Sequence, residues 1–319
     1  MTSFRVLISA PYMLTVIDRF RGRFDRLGIA LSLAEVRERL EEHELLPLVG
    51  DIDGTICGDD RFTARVLEVA TPRLRVISKW GTGIDSIDLE AARRLGVRVC
   101  NTPGAFTNPV ADSVLAYVLA FARRIPWATA SMRDGEWVKL PSIALNEVTL
   151  GIVGVGRIGS AVARRARAFG VRLLGNDIAP IPPPLIQETG LLPTSLDDLL
   201  AQADFVSLNC DLNPTSRHLI GPAQLAKLKP RAVLIDTARG PIVDERALIS
   251  ALVERRLGGV ALDVFEDEPL PADSPLRKMD NALLAAHNSN SSPRAWELVH
   301  ENTIRNLLEG LGITETPAL

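Results

Sequence analysis

The chain has 319 residues, 46% of them hydrophobic and 24% charged, the balance of an ordinary soluble protein with room for two cores. Its net charge of −3 gives no reason to expect nucleic acid or an anionic membrane as a partner, and no run approaches the ~18 apolar residues that a bilayer span requires. Cys57, Cys100 and Cys210 lack metal-ligand spacing, and Pro11 and Asp18 interrupt the first apolar residues, so a cytoplasmic protein with no signal peptide and no metal is expected.

Arg5 to Ala10 reads as a first strand. Arg19, Arg21, Arg23 and Arg26 form a basic cluster, best read as a solvated face, and the glutamate-rich Ser32 to Leu48 reads as mostly helical. Gly54 to Cys57, Arg75 to Trp80 and Val97 to Cys100 are further strands. The second of these leads into Gly81-Thr82-Gly83 and then a helix from about Asp88 to Leu95, closed by Gly96. This alternation predicts a small α/β domain in the first hundred residues. Asn108-Pro109 starts a helix that runs to about Arg124. Its apolar residues cover more than one face, which predicts burial between domains or subunits. A loop containing Trp137 and Pro141 follows.

The next stretch, TLGIVGVGRIGSAVARRARAFGVRLLGND from Thr149 to Asp177, organises the rest. A short apolar strand, Leu150 to Val153, precedes Gly154, Gly156 and Gly159 in G-x-G-x-x-G spacing. A helix from Ser160 to Phe169 and a strand from Val171 to Leu174 come next. The first glycine permits a tight turn, the second lets backbone approach a pyrophosphate, and the third brings helix and strand close. The helix N-terminus offers free N–H groups to the anion. Asp177 lies 18 residues beyond Gly159, where a carboxylate can accept from the adenosine ribose. Strand, glycines, helix and distal acid arriving in order predict a dinucleotide-binding fold.

Beyond it, Phe205 to Leu208, Ala232 to Asp236, Gly259 to Leu262 and Leu283 to Ala286 are apolar runs suited to covered parallel strands. Pro182-Pro183-Pro184 reads as a stiff loop, and Ala223 to Leu228 and Glu245 to Arg256 as helices. A last helix, Pro293 to Leu308, is expected to cross back to the N-terminal domain. In an open parallel sheet ligands bind beyond the carboxyl ends of the strands. Those ends carry Asp177, Asn209, Thr237-Ala238-Arg239, Asp263 and His287. Taken singly, Arg239 is a surface arginine, Glu268 one acid in an acidic loop and His287 a core histidine. Beside a dinucleotide they make a set for hydride transfer. Arginine holds a carboxylate, histidine moves a proton at neutral pH, and a carboxylate orients the ring and favours its charged form.

The motifs KWGTGIDSIDL, NTPGAFTNPVAD, GIVGVGRIGSAVA, IDTARGPIVDERAL, GGVALDVFEDEPLP and LLAAH, in this order over nearly the whole length, resemble the D-2-hydroxyacid dehydrogenases. The resemblance implies an α/β protein with a Rossmann-type doubly wound parallel sheet and a second, discontinuous, flavodoxin-like substrate domain. The substrate domain would span residues 1–102 and 291–319, the NAD-binding domain 103–290, with the active site in the cleft. It implies Arg239, Glu268 and His287 as the catalytic set and Gly81, Thr82 and Gly83, with Arg239, as the binding site for the substrate carboxylate. NAD would contact Gly154, Gly156, Arg157, Ile158, Gly159, Asp177, Asn209, Thr237, Ala238 and Asp263. A homodimer formed mainly through the cofactor domain is also implied.

The chain departs from the family pattern at Ala286-His287-Asn288-Ser289-Asn290, where many members have a Pro-His-Ile-Gly-like segment, and at Asn209, where a histidine is common. No counterpart of the C-terminal regulatory domain of many phosphoglycerate dehydrogenases is expected. The Gly58-Asp59-Asp60 loop, with Arg61 only later, places two carboxylates where phosphoglycerate dehydrogenases often place an arginine. The first reading is therefore an NAD-dependent enzyme interconverting a small, polar 2-oxo acid and its D-2-hydroxy acid. An NAD-sensing binding protein on the same fold is the second reading. Formate or phosphite as donor is a third, and Glu268 disfavours its formate version because formate dehydrogenases of this type pair the histidine with glutamine.

Overall fold

A computed structural model of the protein describes residues 4–314. Residues 1–3 and 315–319, assigned above to the substrate domain, lie outside that range. The chain divides into two compact units, Met1–Phe106 with Ser292–Leu319, and Thr107–Ser291.

In the first unit, β1 (Phe4–Ile8), β2 (Ile29–Leu33), β3 (Gly54–Cys57), β4 (Val76–Lys79) and β5 (Arg98–Cys100) form one parallel sheet in the order β2-β1-β3-β4-β5. This is the flavodoxin-like order, with helices returning the chain between parallel strands. Helix Leu89–Arg94 is capped by Asp88, whose carboxylate accepts the Ala91 N–H at 2.9 Å. The C-terminal helix Pro293–Leu311 lies against β3 and β4. A Cβ at Gly310 would stand 2.4 Å from Val76, and Ser78 donates to the Thr303 carbonyl at 2.7 Å. Ser32 to Leu48 is not mostly helical. Its first residues complete β2 in register with β1, and one short helix, Glu42–Leu45, remains. The glutamates there serve local ties, with Glu41 to Arg39 and Glu42 to Thr63, rather than a helix face.

In the second unit, β6 (Thr149–Val153), β7 (Arg172–Asn176), β8 (Leu192–Pro193), β9 (Phe205–Leu208), β10 (Val233–Asp236), β11 (Gly259–Leu262) and β12 (Ala282–Leu284) form a parallel sheet ordered β12-β11-β10-β9-β6-β7-β8. The order reverses between β6 and β9, the switch point at which doubly wound sheets bind ligands. Apolar clusters cover both faces, one around Leu150, Ile152 and Ile235, the other around Leu208, Leu234 and Leu262. Helix Thr107–Ala122 buries Val114, Leu115, Val118 and Phe121 within this unit. Its Asp112 pairs with Arg165 of helix Arg157–Arg167 at 2.6 Å. The triple proline is not a loop. Pro183 and Pro184 open helix Pro183–Thr189, where the first turn has no use for their missing N–H. A further helix, Ile125–Arg133, precedes Trp137. Among the described residues, no helix is long and apolar enough to cross a membrane, and no group of His, Cys, Asp or Glu could hold a metal ion.

Candidate active site

The three glycines after β6 each answer a different geometric demand. Gly154 has φ +84°, and a Cβ there would stand 2.5 Å from the Cys210 N atom, so the turn passes close to the end of β9. A Cβ at Gly159 would stand 2.0 Å from the Gly154 carbonyl oxygen, which fixes how closely helix and strand pack. At Gly156 an added Cβ would meet nothing within 4 Å. The strand end and the helix N-terminus thus frame open space next to bare backbone, as a pyrophosphate requires. Arg157 is exposed in the first turn and Ile158 packs against the core.

Asp177, just past β7, accepts the Val155 N–H at 2.6 Å through one oxygen and the Ala179 N–H at 2.8 Å through the other. It ties the glycine turn to the neighbouring loop. Ile178, Ala179 and Pro180 carry no charge, and Ile178 is 92% exposed. Asn209 donates its backbone N–H to the Val153 carbonyl at 2.7 Å, and its amide folds back onto Ser207. At the end of β10 the Thr237 hydroxyl is buried without a partner. Such an orphaned group beyond the carboxyl end of a sheet strand fits a bound ligand.

Arg239 is extended at the exit of β10, with Nη1 donating to the Ala238 carbonyl at 2.8 Å. A Cβ on Gly240 would stand 1.9 Å from the Phe265 carbonyl carbon. Only glycine lets this backbone lie against the loop that carries Glu268. Glu268 Oε1 accepts the Phe265 N–H at 3.0 Å, and its Oε2 lies 3.1 Å from His287 Nδ1. The pair is partly shielded, with 24% of the imidazole and 19% of the carboxyl exposed.

His287 has φ +50°, an uncommon conformation for a residue with a Cβ. Buried Asp263 holds it there. Its carboxylate accepts the Asn288 and Ser289 N–H groups at 2.8 and 2.9 Å, and its carbonyl accepts the His287 N–H at 2.8 Å. Burial, with the Asp263 charge second, pushes the Tyr117 phenol up to about 12. Asp236 is fully buried at the end of β10, and burial pushes its carboxyl up to about 8. The Ala238 N–H, the Arg239 charge and the Arg239 N–H oppose the rise, and the Glu268 charge adds to it.

In the first unit the Gly81-Thr82-Gly83 loop leaves β4 with Gly81 at φ +124°. The Gly81 carbonyl accepts the Thr102 N–H at 2.8 Å, and the Thr82 carbonyl accepts the Asn101 amide at 2.6 Å. The N–H groups of Gly81, Thr82 and Gly83 have no backbone acceptor among the described residues. The nearby Gly58-Asp59-Asp60 loop does not present two bare carboxylates. Asp60 is buried and accepts from Ser9 Oγ at 2.5 Å and Leu40 N–H at 2.7 Å, while Asp59 pairs with Lys79 Nζ at 3.1 Å. Of the basic cluster, Arg19 pairs with Glu297, Arg21 with Asp18 and Arg23 with Glu301.

Sequence reasoning passed over Lys79 and Asp236. Both are charged residues closing apolar strands, and each sits where burial would normally select against charge.

Residues 115–289 match the family model described as D-isomer specific 2-hydroxyacid dehydrogenase, NAD binding domain. The chain belongs to the D-isomer-specific 2-hydroxyacid dehydrogenase family. This is a family of NAD-dependent oxidoreductases, and the residues that match its NAD-binding domain all lie within the second unit. A glyoxylate reductase of Korarchaeum cryptofilum is 41% identical over 255 residues, covering 77% of this chain and 76% of that protein. A D-3-phosphoglycerate dehydrogenase of Methanocaldococcus jannaschii is 40% identical over 265 residues, 82% of this chain, which spans only 50% of that longer relative. The crystal structure of a glyoxylate reductase from Paecilomyes thermophila superposes with a TM-score of 0.85 at 29% identity, covering 99% of this chain and 98% of that one.

Proposed function

We propose that the protein reduces a small 2-oxo acid of the glyoxylate and hydroxypyruvate class to the D-2-hydroxy acid, with Arg239, Glu268 and His287 as its catalytic residues. The observation that carries this reading is the 3.1 Å contact between Glu268 Oε2 and His287 Nδ1 on the loops beyond β11 and β12. With Nδ1–H donated to Glu268, Nε2 is the nitrogen that delivers a proton to the carbonyl oxygen. The Glu268 charge favours the protonated ring that reduction needs. In the second unit Arg239 serves a substrate carboxylate and polarises its carbonyl, and in the first unit the Gly81–Gly83 N–H groups suit a carboxylate as well. NADH, when bound, supplies the hydride. The open space at Gly156, the Thr237 hydroxyl and the Asp177 carboxylate are the features that receive the cofactor.

The small-substrate reading draws on two further observations. Asp59 offsets the Lys79 charge at a distance, and Arg19, Arg21 and Arg23 each pair with a carboxylate, which weakens the attraction of this region for a phosphate dianion. Two of the relatives described above are glyoxylate reductases.

A homodimer through the NAD-binding unit is part of the same reading. Helix Ile125–Arg133 buries none of its residues, and over the stretch that it begins Ile125, Met132, Val138 and Ile143 are each at least half exposed and Trp137 is 83% exposed. Large apolar side chains left exposed along one stretch of chain favour a protein interface there. The three cysteines are unpaired, which suits the reducing cytoplasm.

The test is stereochemical. Hydroxypyruvate incubated with the protein and NADH should yield D-glycerate on chiral chromatography. L-glycerate, or no glycerate while NADH binds normally, would refute the proposal and in the second case leave a cofactor-binding protein.

A further inference from the structure

The end of β4 carries a charge that the proposed chemistry has not yet used. Lys79 closes an apolar strand, its side chain is 4% exposed, and its partner Asp59 is 37% exposed. Burying an ammonium this far costs several kcal/mol before pairing is counted, so such a cation is uncommon without a partner or a task. The pairing is incomplete. An ammonium has three donors. One reaches Asp59 Oδ1 at 3.1 Å and one the Trp80 carbonyl at 3.1 Å. The nitrogen also lies 3.5 Å from the point where a Cβ on Gly81 would stand, so it sits against the turn that begins the Gly81–Gly83 loop. That loop has spent its Gly81 and Thr82 carbonyls on Thr102 and Asn101, and its own N–H groups find no backbone acceptor among the described residues.

We infer that the third donor of Lys79 serves the carboxylate held by the Gly81–Gly83 N–H groups, with Asp59 fixing the ammonium in place. The inference rests on the reading of the protein as a 2-oxo acid reductase and adds a charged group to its carboxylate site. Backbone N–H groups supply partial charges, whereas Lys79 supplies a full one in a nearly dry position where it is weakly screened. Asp59 has two effects. It holds the flexible lysine stem, and it cancels most of the field at longer range, so a single carboxylate is favoured over a substrate with a further dianionic group. Aromatic packing stiffens the support, with Tyr12 stacked on Trp80 at 4.7 Å and Trp80 Nε1 donating to His300 Nδ1 at 3.0 Å.

The experiment is calorimetric titration of the NAD-saturated enzyme with oxalate, beside steady-state kinetics on glyoxylate. Lys79→Met should weaken oxalate binding at least tenfold and raise the KM for glyoxylate by a similar factor. The fall in kcat should be smaller and the Kd for NADH unchanged. Lys79→Arg should recover most of the lost binding. Asp59→Asn should shift the ratio of kcat/KM values from glyoxylate toward 3-phosphohydroxypyruvate. It provides an independent result if Lys79→Met does not fold. Oxalate affinity within twofold of wild type in Lys79→Met, parallel loss of NADH affinity, or an unchanged ratio in Asp59→Asn would overturn the inference. Oxalate binding is read without turnover. A wild-type protein that binds oxalate through Lys79 yet reduces no 2-oxo acid would refute the proposed reaction and leave the carboxylate site standing.

Discussion

Glu268 holds His287 from the carboxylate side, with Oε2 3.1 Å from Nδ1, while its Oε1 is anchored by the Phe265 N–H at 3.0 Å. The two residues are 19 positions apart and on different loops, yet this contact sets the direction of the ring. Replacing Glu268 by Gln keeps a hydrogen-bonding group but removes the charge that favours imidazolium. The pH–rate profile for reduction should therefore lose its activity at lower pH than in wild type. His287→Ala should lower kcat by roughly 10²–10⁴ with little change in KM, as expected for a general acid. A Glu268→Gln profile that overlays the wild-type curve would dismiss the assigned role.

Cofactor choice follows from Asp177. A 2′-phosphate placed near this carboxylate, with Ile178, Ala179 and Pro180 beside it, meets repulsion and no compensating cation. NADH should be preferred over NADPH by about a hundredfold in catalytic efficiency, equivalent to ~2.7 kcal/mol. Asp177→Ala should narrow that preference mainly by weakening NADH, and because the carboxylate also ties Val155 to Ala179, its Tm should fall as well. Equal efficiency with both cofactors in the wild type would contradict this assignment.

Much of this was legible in the sequence because the determinants are local. The glycines at 154, 156 and 159 declare a turn and a helix start, and β9 and β11 are apolar runs with polar residues at their ends. Arg239 and His287 stand out in the sequence from their positions just past strands, and Glu268 from the LDVFEDEP motif that resembles the family's. What escaped depends on contacts distant in sequence. β2 is a strand because β1 offers it a ladder, and β8 is only two residues long. The pairing of Asp59 with Lys79 joins residues 20 apart, so the loop that reads as two exposed acids is in fact one ion pair and one buried hydrogen-bonded carboxyl. Asp263 reads from the sequence as a cofactor ligand alone, whereas its hold on the turn that carries His287 depends on residues 25 and 26 positions away.

Asp236 makes stability depend on pH. Its folded-state value of about 8 stands above the ordinary 3.8 because burial penalises the charge. A raised value means that the folded protein holds the proton more tightly than the unfolded chain. The contribution is complete below about pH 4 and is lost as pH rises toward about 8. Asp236→Asn removes this linkage, so its Tm should decline less than the wild type's over that range. Parallel Tm curves for the two proteins would show that the buried carboxyl is not the source.

Subunit association should depend on the exposed apolar segment after helix Thr107–Ala122. Trp137→Glu is expected to convert a dimer into a monomer in sedimentation velocity while leaving the circular dichroism spectrum unchanged, since Trp137 is 83% exposed within one chain. A wild-type protein that sediments as a monomer at micromolar concentration would remove the dimer from the account.

The most direct measurement is a comparison of kcat/KM under saturating NADH for glyoxylate, hydroxypyruvate, pyruvate and 3-phosphohydroxypyruvate. With the longer-range field of Lys79 offset by Asp59, and Arg19, Arg21 and Arg23 already paired, glyoxylate or hydroxypyruvate should rank first and the phosphorylated acid last. Highest efficiency with 3-phosphohydroxypyruvate, or no NADH oxidation with any of the four, would contradict the assignment of a small 2-oxo acid to this site.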